Sequence, residues 1–148
     1  MTNTALSDEP YQVLVVDDEP IVHQMIGRII GDSNLPLRLA ATASSGSEAL
    51  ALARGVRPDI CLLDIQMDDM TGLELASNLE QDLGYRPAII YVTAHRRFEY
   101  AQEAVRLGAV DYLVKPISRN FVLAALTRAI GKLEAAKLES LEAQQLKR

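Results

Sequence analysis

Residues 12–30 read QVLVVDDEPIVHQMIGRII, and the change of pattern inside that stretch decides the fold. Gln12–Val16 is a short, nearly unbroken apolar run, as a strand buried on both faces requires. Two carboxylates, Asp17 and Asp18, follow at once. Pro20 suits the first position of a helix and leaves Glu19 at its cap. Beyond it Ile21, Val22, Met25, Ile26, Ile29 and Ile30 form two i,i+4 rows on one helical face. A buried strand passing through an acidic turn into an amphipathic helix is one half of a parallel βαβ unit.

The same alternation continues outward. Further apolar runs lie at about Leu37–Thr42, at Ile60–Leu63, at Ala88–Val92 and at about Val110–Val114. The second and fifth runs are less purely apolar, which places them nearer the edges of a sheet. Helical patterns fill the gaps. Ser47–Arg54 is a short Ala/Leu helix with Gly55 as its stop. Thr71 and Glu74 fit a capping box for a helix with the stripe Leu75, Ala76, Leu79 and Leu83, stopped by Gly84. Phe98, Ala101, Ala104 and Val105 mark a fourth helix ending at Gly108, and a fifth starts from Ser118 with Leu123, Leu126, Ile130 and Leu133 inward. Five βα units in alternation predict an α/β fold with a doubly wound parallel sheet covered on both faces.

Composition agrees with this reading. A chain of 148 residues, 49% apolar, is one domain by default and buries a core without cross-links. Its single cysteine excludes a disulfide framework, no Cys/His cluster has zinc spacing, and Cys61 reads as a small core hydrophobe. A net charge of −5 argues against nucleic-acid binding by bulk charge. With no apolar run long enough to span a bilayer and no secretory signal, a soluble cytoplasmic protein is expected. Residues 1–10 are expected to be loosely attached or disordered, residues 11–131 to form the domain, and residues 132–148 to be a helical extension.

The polar residues sit at the carboxyl ends of the strands. Asp17 and Asp18 follow the first run, Asp64 the third, Thr93 the fourth and Lys115 the fifth. Open α/β sheets bind ligands at that edge. If the second strand lies outside the first, the order is 2-1-3-4-5 and the carboxylates of the first and third strands meet at the switch point. Three carboxylates there repel, each pair by about 3 kcal/mol at 5 Å and an effective dielectric near 20. Such a cluster needs a raised pKa, a cation, or both. Lys115 supplies one positive charge, and a divalent metal would neutralise the rest. An all-oxygen set without His or Cys favours Mg²⁺. A carboxylate facing a metal, an ammonium and a hydroxyl has the parts for phosphoryl transfer onto Asp.

With those parts assembled, residues 11–131 resemble a response regulator receiver domain of two-component signalling. The match is carried by LVVDDEP (Leu14–Pro20), LLDIQM (Leu62–Met67) with Thr71–Gly72, YVTA (Tyr91–Ala94) and GAVDYLVKP (Gly108–Pro116). The resemblance implies a flavodoxin-like receiver fold and a phosphorylation-activated switch rather than a conventional enzyme. Asp64 would accept a phosphoryl group from a histidine kinase or phosphotransfer protein. Asp17 and Asp18 would hold Mg²⁺ with Asp64, the first through water, and the backbone carbonyl of Gln66 would complete the protein ligands. Thr93 would hydrogen-bond the phosphoryl group, Lys115 would pair with it, and Tyr112 would be the aromatic switch that follows Thr93. The Lys115–Pro116 bond is expected to be cis.

Some features depart from the pattern or carry blander readings. Asp68 and Asp69 stand where the family has a loop proline, adding negative charge near the metal. His95 and Gln66 occupy positions that tune dephosphorylation in the family. His95, Arg96 and Arg97 form a cationic cluster beside the site, and His23 reads as a solvated residue on the polar face of its helix. The competing function is an Asp-nucleophile phosphohydrolase of the haloacid dehalogenase type. Those enzymes have a second Asp two residues after the nucleophile, where this chain has Gln66. A flavin-binding module is disfavoured because no Ser/Thr/Gly-rich phosphate loop follows the first strand. The helical pattern from residue 118 to residue 148 spans about 46 Å if unbroken. Its leucines keep no clean heptad, so it is either a solvated extension or a signalling helix that pairs with a second chain and leads to an output domain. A homodimer through the fourth and fifth helices or this C-terminal helix is the corresponding expectation.

Overall fold

The computed structural model describes residues 9–94 and 98–146. Five strands, β1 (Tyr11–Val16), β2 (Leu37–Ala43), β3 (Ile60–Asp64), β4 (Ala88–Thr93) and β5 (Asp111–Val114), alternate with five helices. These are α1 (Pro20–Asp32), α2 (Gly46–Val56), α3 (Gly72–Leu83), α4 (Phe98–Arg106) and α5 (Arg119–Leu146). All strand pairs are parallel and the order is β2-β1-β3-β4-β5, as the sequence predicts. The less apolar strands β2 and β5 are the edges.

Alternate side chains along each central strand enter opposite layers, because successive Cβ atoms point to opposite faces. Val13, Val15, Ile60, Leu62, Ile90 and Val92 pack under α1 and α5. Leu14, Val16, Cys61, Leu63, Ile89 and Tyr91 pack under α2 and α3. Cys61 is fully buried, as expected of a small core hydrophobe, and burial pushes its thiol pKa up.

Helix ends follow local chemistry. Glu19 is the N-cap of α1 with Pro20 in its first turn. The capping box of Thr71 and Glu74 forms, and Gly84 closes α3 in the left-handed conformation at φ 78°. Helix α2 differs from the expectation: Ser45 caps it, and Gly55 does not stop it. The helix runs to Val56 and is closed by Arg57, left-handed at φ 51°, whose N–H bonds Ala53 O. Pro58 next in sequence disfavours the right-handed helical region for Arg57.

The α4 stripe needs correction, while the expected inner face of α5 packs against the core and is joined by smaller residues. Val105 lies outward and is 72% exposed, because Ala104, its neighbour about 100° around the helix, faces the core. In α5 the fully buried residues are Val122, Ala125, Leu126 and Ala129, while Leu123, Ile130 and Leu133 are half-buried. Two of the buried four, Ala125 and Ala129, are small and let the helix backbone approach the sheet. Farther along, the ammonium of Lys137 sits 4.5 Å from the centroid of the Tyr11 ring at the start of β1. Among the described residues no helix is long and apolar enough to cross a membrane.

Two of the leucines of α5, Leu126 and Leu138, should therefore respond differently to truncation. Leu126→Ala should cost about 2–5 kcal/mol of unfolding free energy in urea titration, since its side chain is fully buried. Leu138→Ala, at a residue 47% exposed, should stay within about 0.5 kcal/mol of the parent.

Candidate functional site

Register brings the predicted residues together. Val16 is level with Leu63 across β1 and β3, so the next residues, Asp17 and Asp64, come level too. Thr93 ends β4 one step beyond Val92, the partner of Asp64, and is paired with Val114. Lys115 follows Val114, its N–H bonded to Thr93 O at 2.7 Å. The Lys115–Pro116 bond is cis, as expected.

The side chains converge on the ammonium of Lys115. Its Nζ lies 3.0 Å from Asp17 Oδ2, 3.4 Å from Asp64 Oδ2 and 2.6 Å from Glu19 Oε1. Asp17, Asp64 and Thr93 are buried, whereas Asp18 and Glu19 are exposed at the rim. Glu19, read from sequence only as a helix cap, thus belongs to the charge cluster. Its spacing one residue beyond the Asp pair was the available signal, and assigning it to the cap concealed it. Tyr112 is half-buried on β5 beside the layer under α2 and α3.

The electrostatics follow from one ammonium among several carboxylates. Burial raises the Asp64 pKa to about 6, with Asp17 adding repulsion, against the lowering effects of the Gln66 N–H and Lys115. Burial likewise raises Asp17. For Lys115 burial acts downward, but hydrogen bonds to Glu19 and Asp17 win and hold its pKa above the ordinary lysine value. The buried Asp17 Oδ2 makes no hydrogen bond of good geometry despite the nearby ammonium. Carboxylate oxygens of Asp17, Asp18 and Glu19 lie within 4.8 Å of one another. An under-satisfied oxygen in an all-oxygen, net-negative cluster fits a hard divalent cation such as Mg²⁺.

Three neighbouring residues shape the crevice in ways the sequence did not reveal. Gly72 begins α3 so close to the end of β3 that a side chain there would collide with the Asp64 carbonyl oxygen. Asp69 turns away from the cluster: its carboxylate accepts from the Gly46 and Ser47 N–H groups, at 3.1 and 2.8 Å, and from Ser47 Oγ. Those bonds hold its pKa down and direct its charge onto the start of α2 rather than into the crevice. His23, expected in solvent, is half-buried, with Nε2 at 2.8 Å from Asp17 O and 3.1 Å from Ala43 O. The cluster of His95, Arg96 and Arg97 lies outside the described residues.

Comparison with known proteins gives this arrangement its class. The model of the response regulator receiver domain matches residues 13–127. The chain belongs to the response regulator receiver domain family. Members of that family are regulatory phosphoacceptor domains of two-component systems. The chain is 42% identical over 118 residues to the positive alginate biosynthesis regulatory protein of Pseudomonas aeruginosa, covering 79% of this chain and 46% of that protein. It is 36% identical over 109 residues to the transcriptional regulatory protein BtsR of Salmonella typhi, covering 74% and 44%. The chain thus spans under half the length of these relatives. Among solved structures, the receiver domain of AraT, a response regulator from Geobacillus stearothermophilus, superposes with TM-score 0.77 and 34% identity, covering 86% of this chain and 98% of that one. A CheX–CheY complex with BeF3 and Mg²⁺ from Borrelia burgdorferi gives 0.74 and 26% identity, covering 82% and 90%.

The raised Asp64 pKa has a sign that can be measured. In metal-free protein the folded state keeps this proton up to about pH 6, whereas an ordinary Asp releases it near 3.8. Stability from that proton is complete below the ordinary value and is lost as pH rises through 6. Asp64→Asn cannot ionise, so in chelator at pH 8 it should be more stable than the parent by about 2 kcal/mol. Denaturant titrations across pH 4–8 should show that advantage shrinking toward pH 4.

Proposed function

We propose that this domain is a phosphorylation-activated switch in which Asp64 is the phosphoacceptor and the donor is a phosphohistidine on a histidine kinase or phosphotransfer protein. The observation that carries the reading is the placement of Asp64: buried, level with Asp17, and 3.4 Å from the Lys115 ammonium. A carboxylate oxygen of Asp64 forms a bond to phosphorus as the bond from phosphorus to the donor imidazole nitrogen breaks. The leaving electron pair stays on the imidazole. Lys115, already in the crevice, pairs with the incoming phosphoryl oxygens, and the Thr93 hydroxyl donates to them. Small Ala94 beside Thr93 leaves room for that group.

Mg²⁺ would be held by Asp17, Asp18, Asp64 and the backbone carbonyl of Gln66. Bound there it supplies positive charge against the phosphoryl oxygens and relieves the carboxylate repulsion. The likeness to a CheY whose complex includes BeF3 and Mg²⁺ supports this choice.

Phosphorylation adds roughly two negative charges to a crevice whose Lys115 ammonium is also shared with Glu19. Thr93 and Lys115 then move toward the phosphoryl group, and Tyr112 follows inward and remodels the surface of α4, β5 and α5. A partner or a second copy of the chain, meeting it through α4 and α5 or the end of α5, reads that surface in the cytoplasm. The regulatory relatives support an output domain in the whole protein. Gln66, where the dehalogenase-type hydrolases need a second Asp, weighs against the phosphohydrolase reading.

Incubation with acetyl phosphate and Mg²⁺ should add one phosphoryl group per chain by intact mass. The group should be absent with chelator and absent from Asp64→Asn. Persistence of the modification in Asp64→Asn would refute the assignment, and many turnovers of a phosphate ester per chain would favour the hydrolase.

A further inference from the structure

We propose that His23 is a positioning residue for the cation site: its imidazole N–H fixes the Asp17 peptide and thereby the direction of the Asp17 and Asp18 carboxylates. The inference deepens the reading of those residues as Mg²⁺ ligands and rests on it.

Where β1 ends, Asp17 leaves the regular ladder. Its N–H still reaches Ala43 O, at 3.0 Å, at the tip of β2. Its carbonyl takes His23 Nε2 at 2.8 Å, and the same nitrogen is 3.1 Å from Ala43 O. Both partners are carbonyl oxygens, which only accept, so Nε2 carries the hydrogen and shares it between them. The Asp17 carboxylate is fixed separately, Oδ1 accepting from the Glu19 N–H at 2.9 Å. The acidic turn is therefore tied at its N–H, its carbonyl and its side chain. The imidazole tie leads directly to the core, because His23 is next to Val22 on a helix whose Val22, Ile26, Ile29 and Ile30 are buried.

Removing the N–H leaves the Asp17 carbonyl without this donor and frees the peptide to rotate. The Asp17–Asp18 peptide joins the two Cα atoms that carry these carboxylates, so its rotation re-aims both. A hard divalent cation requires several oxygens to converge, and loss of an outer-shell hydrogen bond commonly weakens metal binding about 10–100-fold. A side chain that merely filled space would leave the affinity alone.

Two substitutions separate these roles: His23→Phe keeps a ring without a donor, and His23→Gln offers a side-chain N–H at similar reach. Calorimetric titration with MgCl₂ should show affinity about tenfold weaker in His23→Phe. Recovery in His23→Gln to within about threefold of the parent is expected, since the donor returns. Amide hydrogen exchange at Asp18 and Glu19 in metal-free protein should accelerate in the Phe variant and slow again in the Gln variant. Should the Phe variant not fold, His23→Met takes its place in the same comparison. Parent-like Mg²⁺ affinity in a folded donor-free variant, or a Gln variant as weak as it, overturns the role of His23 alone. Failure of the parent itself to bind Mg²⁺ overturns the metal reading and this inference with it.

Discussion

One ammonium holds together a crevice that is otherwise overloaded with negative charge. Lys115 lies within 3.4 Å of carboxylates from Asp17, Glu19 and Asp64, and two of those carboxylates are buried. Like charges so close would drive the strand tips apart or force a proton onto one of them. Burial, with repulsion from Asp17 added to it, raises the Asp64 pKa to about 6. A site built this way is stabilised by whatever brings further positive charge. In the proposed function, binding a divalent cation and responding to a phosphoryl group are two consequences of that same imbalance.

The rest of the fold serves to keep that imbalance in place. Parallel pairing with Val16 level with Leu63 makes Asp17 and Asp64 neighbours across two strands far apart in sequence. Two apolar layers of alternating strand residues fix that register, since a slip by one residue would turn every core side chain into the wrong layer. Glycine at residue 72 lets α3 start against the end of β3. Asp69 ties the loop after Asp64 to the start of α2, and His23 ties the turn after β1 to α1. The crevice is thus braced from both faces of the sheet.

Much of this was legible in the sequence because it depended on local pattern. The strand runs, the Thr71–Glu74 capping box, the Gly84 stop and the polar residues at strand ends each follow from chemistry within a few positions. What escaped was set by partners distant in the chain. His23 has the spacing of a solvent-facing residue on α1, and only the arrival of Ala43 beside Asp17 turns it into a bridge. Asp69 read as extra charge near the metal because nothing local shows that the start of α2 would claim its carboxylate. Glu19 was assigned one role, the cap, while its side chain took another with Lys115, 96 residues away. The left-handed Arg57 concealed the end of α2 because glycine at residue 55 offered the more familiar stop.

The charge imbalance itself is open to direct measurement. Carboxyl ¹³C resonances of the aspartates, followed through a pH titration with and without Mg²⁺, report the Asp64 proton individually. Asp64 should titrate near pH 6 in metal-free protein, and its midpoint should fall steeply when Mg²⁺ is added. A midpoint at the ordinary aspartate value near 3.8, unmoved by the metal, would contradict this.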